Sequence, residues 1–382
     1  MKVTQIYSIL NSAVSEITGK TDLVQTDLSN IVDVGKEIVD TDNLDNYVKK
    51  LINHIGKVVF DGRLYSGSVP SVLMDSWEYG SILEKITVDM PTASENDSWK
   101  LENGTTYSQD VFYQPSVSAK FFNKQVTFEI PMSFTEKQVK ESFSSLNQLN
   151  GFLSMLKTSV ENAMTVKLDS LIMRTIDNMI GETLAVKDTK AKVDLLALYN
   201  AQTGATLTPD KALTDKAFIQ FASYTISLYK DRVQKISTLF NVGGKERFTP
   251  EKDLHLVLLT DFAKASDIYL ESDTFHNEKV SLPKYETVPY WQGSGKAYAL
   301  ADTASINVKT STGETVKQSY VLGAMFDTQA LGVTNLDKRV TTAYNAKAEF
   351  FTNFYKFDSG YYNDLNENFV VFYMGVPKPA GK

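Results

Sequence analysis

Ser81-Ile82-Leu83-Glu84-Lys85-Ile86-Thr87-Val88-Asp89-Met90-Pro91 opens the stretch, Ser81 to Ile180, whose reading decides the fold. From Ile82 to Pro91 the residues are strand-like, with Ile82, Leu83, Ile86, Val88 and Met90 as the apolar members. A second strand is expected to run back from Tyr113 to Phe134. Val117, Ala119 and Phe121, then Val126, Phe128 and Ile130, alternate with polar residues and mark one face of a pleat. The alternation loses phase at Phe122 and Asn123, which reads as a bulge. Between the strands, Thr92 to Ser108 is rich in Ser, Asn, Asp, Glu, Gly and Thr and offers little to bury. An isolated two-stranded ribbon is marginal in water. Such an arm makes sense lying on a neighbouring molecule, which points to an assembly subunit rather than a self-contained enzyme.

The arm leads into a long amphipathic helix. Thr135 with Gln138, or Ser133 with Glu136, forms a capping-box pattern at its start. Apolar positions then recur at Val139, Phe143, Leu146, Leu149, Leu153, Leu156, Val160, Met164, Leu168, Leu171, Ile172, Thr175 and Met179, which is helical spacing over many turns. Asn150-Gly151 is expected to split off a short first piece, and Gly181 to end the main one. The main piece, about 30 residues, would be roughly 45 Å long.

Outward from this stretch the chain divides by pattern. On the N-terminal side, Ile6, Ile9, Leu10, Ala13, Val14 and Ile17 share one helical face, and Leu44, Tyr47, Val48, Leu51, Ile52 and Ile55 share another. Helices this short are marginal alone, so both are expected to dock on other structure, a neighbouring subunit foremost. On the C-terminal side the pattern is mixed: helices over 210–225 and 229–239, a strand at Leu254–Leu259, a helix over 261–269, strands and turns over 284–310 and 316–331, and a last strand at 369–374. The aromatic run Phe350, Phe351, Phe354, Tyr355, Phe357, Tyr361 and Tyr362 lacks the interleaved arginines of a base-stacking platform and is assigned to packing in the core or between subunits.

Composition removes several chemistries. The chain of 382 residues has no cysteine, which excludes disulfides, thiolate zinc sites and a cysteine nucleophile. Its three histidines, His54, His255 and His276, are widely spaced, so a metal cluster would have to rely mainly on carboxylates. His255 alternates with Leu254 and Leu256 and should lie on the opposite strand face, solvated or hydrogen-bonded; His276 lies in a polar loop, and His54 beside Ile55 on a helix. Gly293-Ser294-Gly295-Lys296 resembles the end of a phosphate loop, but Tyr290 and Ala297 stand where the loop needs Gly and Ser or Thr. A hairpin turn is the better reading. No nucleophile elbow and no H-E-x-x-H motif occurs. Met1 to Lys20 lacks the apolar core and cleavage pattern of a secretory signal, and no apolar run approaches the ~20 residues of a membrane helix. The net charge of −7 offers no basic footprint for gripping nucleic acid. These readings leave no catalytic, cofactor-binding or metal-binding residue to nominate.

The order of parts — N-terminal arm, extended hairpin, long helix, α/β segment, C-terminal return — resembles the major capsid proteins of tailed bacteriophages of the Hong Kong 97 type. Three strings are similar to capsid proteins of phages of Gram-positive bacteria: Leu51-Ile52-Asn53-His54-Ile55-Gly56-Lys57-Val58-Val59-Phe60, Thr249-Pro250-Glu251-Lys252-Asp253-Leu254-His255-Leu256-Val257-Leu258, and Tyr361-Tyr362-Asn363-Asp364-Leu365-Asn366-Glu367-Asn368. The first two also look like segments of the phi 29 group's shell protein.

The resemblance implies an α+β fold with an N-terminal arm (1–60), the start of a peripheral (P) domain (61–81), a hairpin E-loop (82–133), a spine helix of the P domain (134–185), an axial (A) domain (186–345) and a return to the P domain (346–382). It implies a structural subunit, not an enzyme, building pentamers and hexamers of an icosahedral head. Its partners would be further copies of itself, a portal, scaffolding or decoration proteins, and double-stranded DNA contacted non-specifically, with no membrane. Assembly would take place in the bacterial cytoplasm, and the product would be the virion. Some members join an E-loop lysine to a neighbour's asparagine; Lys100 at the tip and Asn363, Asn366 and Asn368 would be the residues available. An encapsulin-like compartment with protein cargo shares these parts. A cytosolic hydrolase with an inserted arm is disfavoured by the missing nucleophile and phosphate motifs.

Overall fold

The computed structural model describes Asn11 and residues 70–74, 82–107, 110–135, 146–271, 282–292 and 304–375. The expected helices near Ile6 and Leu44, along with His54, His276 and the Gly293–Lys296 turn, lie outside them.

The arm forms as its alternation predicts. Strand β2 (Leu83–Val88) pairs antiparallel with β3 (Val117–Phe122), placing Val88 opposite Val117 and Ile86 opposite Ala119. The loss of phase at Phe122 is not a bulge in one ribbon. It marks the point where the chain leaves the arm's two-stranded sheet and enters another. After Asn123-Lys124, strand β4 (Gln125–Thr135) pairs instead with β12 (Phe350–Asn363). Ser133 belongs to that strand and its hydroxyl meets Thr352, at 2.8 Å, so it caps no helix.

Helix α1 runs unbroken from Leu146 to Ala185, 40 residues, or about 60 Å. It passes through both expected stops. Asn150-Gly151 lies within it, and so does Gly181. At Gly181 a side chain would strike Cγ2 of Val308 on strand β8 (Ile306–Lys309). That glycine serves close packing, not termination. Val160, Met164, Leu168, Leu171, Ile172, Thr175 and Met179 are all buried as the spacing predicts.

Two sheets pack with α1. The first has the order β1-β11-β12-β4, with β1 (Leu73–Met74) parallel to β11 (Leu331–Asn345) and the remaining pairs antiparallel. Phe351, Tyr355 and Phe357 on β12 and Phe128 on β4 share one core with the helix. The second sheet has the order β5-β13-β10-β6-β7: Lys192–Asp194, Phe369–Tyr373, Val321–Asp327, Leu254–Leu259 and Glu286–Val288. Both its faces are covered. Val257, Leu259, Phe326, Phe369 and Val371 join the α1 core. Leu256, Leu258, Met325, Val370 and Phe372 meet helices α2 (Leu195–Thr203), α4 (Lys216–Val233) and α5 (Thr260–Glu271). Burial on both faces explains why these strands read as continuous apolar runs.

The expected bounds of the helices over 210–239 are corrected. The helices placed at 210–225 and 229–239 are the short α3 (Pro209–Ala212) and the single α4. The true starts are a proline at the first turn of α3 and Asp215, whose carboxylate accepts from the Phe218 N–H at 2.8 Å. The division expected at 345/346 does not follow the sheets. Leu331–Asn345 pairs with β12, while Phe369–Tyr373 lies inside the five-stranded sheet between β5 and β10. Finally, β8 and β9 (Thr315–Gln318) form a separate hairpin against the C-terminal half of α1.

Candidate functional site: the arm and its charged root

The arm has two unlike faces because β-strand side chains alternate. On the inner face, Lys85 reaches the Asp364 carboxylate at 3.0 Å and Glu367 at 2.6 Å, and Lys120 reaches the other Asp364 oxygen at 2.8 Å. Arg247 completes the set, its Nε 3.1 Å from Glu367. Phe122 packs on Tyr362 with ring centroids 4.9 Å apart. On the outer face, Ile86, Val88, Val117 and Phe121 are 56–64% exposed. The tip is less polar than its composition suggests: Trp99 is 96% exposed, and Phe112 and Tyr113 are nearly as bare.

The socket is the turn Asp364-Leu365-Asn366-Glu367-Asn368, within one of the strings that carried the resemblance. Asp364 bends the chain by accepting from the Asn366 N–H at 3.1 Å, and its own N–H donates to the Ala330 carbonyl at 2.7 Å. Leu365 offers its carbonyl to the Gly243 N–H at 2.7 Å, which ties the turn to the 236–250 loop. Burial pushes the Asp364 carboxyl up, but the hydrogen bond from Lys120 and the charge of Lys85 outweigh it and hold the group below the usual carboxylate range. Tyr362 beneath the joint is pushed up to about 12, by burial first and by the Asp364 charge second. A second string meets the same turn: the Thr249 hydroxyl donates to Asp327 at 2.9 Å, and Asn368 Nδ2 donates to Thr249 Oγ1 at 3.1 Å. Burial raises the Asp327 carboxyl, partly offset by the donors of Gln329 and Thr249.

His255 is half-buried and stacked on Phe326, with its Nδ1 3.8 Å from Glu286. The Ser71 N–H and hydroxyl also donate to Glu286, at 2.9 and 2.5 Å. His255 draws the Glu286 carboxyl down, burial opposes it, and Ser71 lowers it further, to about 2. A serine bonded to the carboxylate, with no bond to the imidazole, is a structural tie of segment 70–72 to the sheet; it is not a nucleophile arrangement. Of the asparagines named for crosslinking, Asn363 donates to the Thr175 carbonyl at 2.8 Å, and Asn368 is buried. Lys100 is exposed at the tip. Among the described residues, no group of three His, Asp or Glu side chains could hold a metal ion, and no helix is long and apolar enough to cross a membrane.

The α1 helix holds a polar surprise. Asp177 is buried on every side with Oδ1 unpartnered, and burial raises its carboxyl well above the usual range; Asp169 is raised to about 6 by the same cause. Sequence pattern missed both, because apolar spacing identifies one helix face and does not reveal a second cover.

The model of the Phi29-like phage major capsid protein family matches residues 6–373. The chain belongs to that family. The major capsid protein of Bacillus phage GA-1 is 23% identical over 186 residues, 48% of this chain; the chain spans only 38% of that relative's length. The fold is similar to the capsid structure of Staphylococcus phage Andhra, with a TM-score of 0.52, 10% identity and coverage of 82% of this chain and 86% of that one. At that identity the likeness speaks for fold alone, and it is the α+β fold of tailed-phage capsid proteins. The matched family is one of phage shells, neither of compartment shells with protein cargo nor of hydrolases.

Proposed function

We propose that this capsid-family chain is a structural, non-enzymatic building block that closes into pentamers and hexamers of an icosahedral phage head around double-stranded DNA. The observation that carries the reading is the arm. Its inner face is fixed to its own subunit by ion pairs, while Ile86, Val88, Val117 and Phe121 remain bare on the outside. Apolar surface of this kind marks a contact site. The arm is the E-loop and lays this face on an adjacent subunit. Helix α1 with the sheet β1-β11-β12-β4 forms the P domain. The five-stranded sheet with α2 to α5 forms the A domain. A portal, scaffolding or decoration proteins, and DNA held without sequence preference, are the further partners. Assembly takes place in the bacterial cytoplasm and the chain ends up in the virion.

Sedimentation tests this reading. The expressed chain, supplied with its scaffold if one is needed, should run as megadalton shells or capsomers. Phe121→Asp should lower that fraction at least tenfold while leaving the subunit folded. A well-folded monomer as the sole species of the unaltered chain would sink the proposal.

A further inference from the structure

The loop that joins β2 to β3 carries an Asn-Gly pair, Asn103-Gly104, near the tip of the arm. Two hydrogen bonds define a tight turn there. The Thr105 N–H donates to the Glu102 carbonyl at 3.3 Å, and the Glu102 N–H donates to the Tyr107 hydroxyl at 3.2 Å. Gly104 has a φ of 87°, the left-handed conformation that the third position of a type II turn requires and that glycine adopts without strain. Both residues of the pair are exposed. Among the described residues, neither the Asn103 side-chain amide nor the Gly104 N–H has a hydrogen-bond partner.

An asparagine followed by glycine holds a nucleophile and an electrophile in one short segment. The Gly104 backbone nitrogen is the atom that can close a five-membered ring on Asn103 Cγ. Glycine has no side chain to shield that nitrogen, and the space where a Cβ would stand is open, with no atom within 4 Å. The step balances with water as its sole co-reactant. The Gly104 nitrogen gives up its proton and bonds to Cγ. The side-chain nitrogen leaves as ammonia, and a succinimide remains. Water then opens the ring at one of its two carbonyls. Breaking the new bond to Cγ leaves aspartate. Breaking the original peptide bond leaves isoaspartate, with the main chain running through Cγ.

Two other asparagines show what the turn supplies. Asn150-Gly151 is the same pair, but it lies inside α1, where the helix ladder commits backbone N–H groups to carbonyls four residues back and fixes ψ. Asn96 lies in the same loop as Asn103, but its side-chain carbonyl accepts from the Ser98 N–H at 2.8 Å, and the residue after it is Asp97.

We propose that Asn103-Gly104 is a self-modifying site, at which the free subunit converts an amide to a carboxylate without enzyme or cofactor. The product places a new negative charge between the exposed Glu95 and Glu102 side of the tip and the exposed Tyr107, on a tip that also bears the bare indole of Trp99. The arm therefore ages chemically at its end while its root stays as made. This goes beyond the capsid reading and does not depend on it.

The test incubates the full-length chain in mildly alkaline buffer and follows its tryptic peptides by mass spectrometry, with isoaspartate read by an isoaspartyl methyltransferase. Asn103 should convert at least tenfold faster than Asn150 or Asn96, at a rate that rises with pH, and should give more isoaspartate than aspartate. Gly104→Ala should slow the conversion at least fivefold, and Asn103→Gln should remove the signal from that peptide. In denaturant Asn150 should approach the rate of Asn103. Conversion at Asn103 no faster than at Asn150 in the folded chain, or equal rates in the parent and Gly104→Ala, would overturn the proposal. An Asn150 that stays slow when unfolded would overturn the part assigned to the fold.

Discussion

The arm and the C-terminal half of α1 are both elongated, and their faces are treated differently. Residues 171–183 of the helix are enclosed on one side by the sheets and on the other by the β8–β9 hairpin; among them Arg174 is exposed, and Asn178 and Glu182 are half-buried. The arm closes one face with two lysines and leaves the other open. Apolar residues are present in both. The difference teaches that apolar content alone does not separate a core element from a contact element. The separation comes from whether a second layer exists in the same chain.

The strongest way to break this comparison is to truncate equally in both places. Leu168→Ala, at a side chain 2% exposed, should destabilise the subunit by about 2–5 kcal/mol in denaturant unfolding. A loss below 1 kcal/mol would show that the helix face is not part of the core.

Next comes the arm's root. Lys85→Met removes a cation from between two nearly buried carboxylates and should cost about 1.5–3 kcal/mol of subunit stability. The Asp364 pKa is depressed in the folded chain, so its contribution is present above its unfolded value near 3.8 and is lost as pH falls through the folded value. Hydrogen exchange in β2 and β3 should therefore quicken in acid relative to the core strands, after correction for intrinsic rates. Equal protection of arm and core at every pH would remove the ion-pair joint from the account.

Asp169 and Asp177 should act with the opposite sign. Their folded pKa values are raised, Asp169 to about 6 from 3.8, so the folded state holds protons that the unfolded chain releases. Stability should decline as pH rises, between about 4 and 6 for Asp169, and in the same direction for Asp177. Thermal scans of Asp177→Asn should show a flatter decline than the parent chain, and an unchanged slope would reject the assignment.

The smallest effect on the subunit is expected at the open face. Ile86→Ala should change subunit unfolding by about 0.5 kcal/mol or less, while weakening assembly in the sedimentation assay. A core-sized cost there would mean that the arm's outer face is already covered within the subunit.

Much of the fold was legible where one period rules one element. Val160 to Met179 keeps helical spacing, Leu254–Leu259 is apolar apart from His255, and Val117, Ala119 and Phe121 of β3 alternate with its other residues. The misses have a common physical origin. Gly181 is a stop by local rules, yet Val308, 127 residues away in sequence, needs the space. Leu331–Asn345 and Phe369–Tyr373 have strand character in either sheet, and only pairing across the chain assigns them. Lys85 and Asp364 are separated by 279 residues, so no spacing rule could join them. The string Tyr361–Asn368 was singled out for its resemblance alone; its role as the socket became visible once the arm was seen to rest on it.

The placement of β13 has a consequence in time. Phe369–Tyr373 fills the gap between β5 and β10, so the five-stranded sheet has an open slot until that strand emerges. A domain completed at its middle by its latest strand cannot close during synthesis until nearly all of the described chain has left the ribosome. Nascent subunits are thus kept unfinished, and a truncated product lacking residues beyond 368 lacks an interior strand of the sheet rather than an edge strand. The order in which the polypeptide is made then sets when this sheet can close.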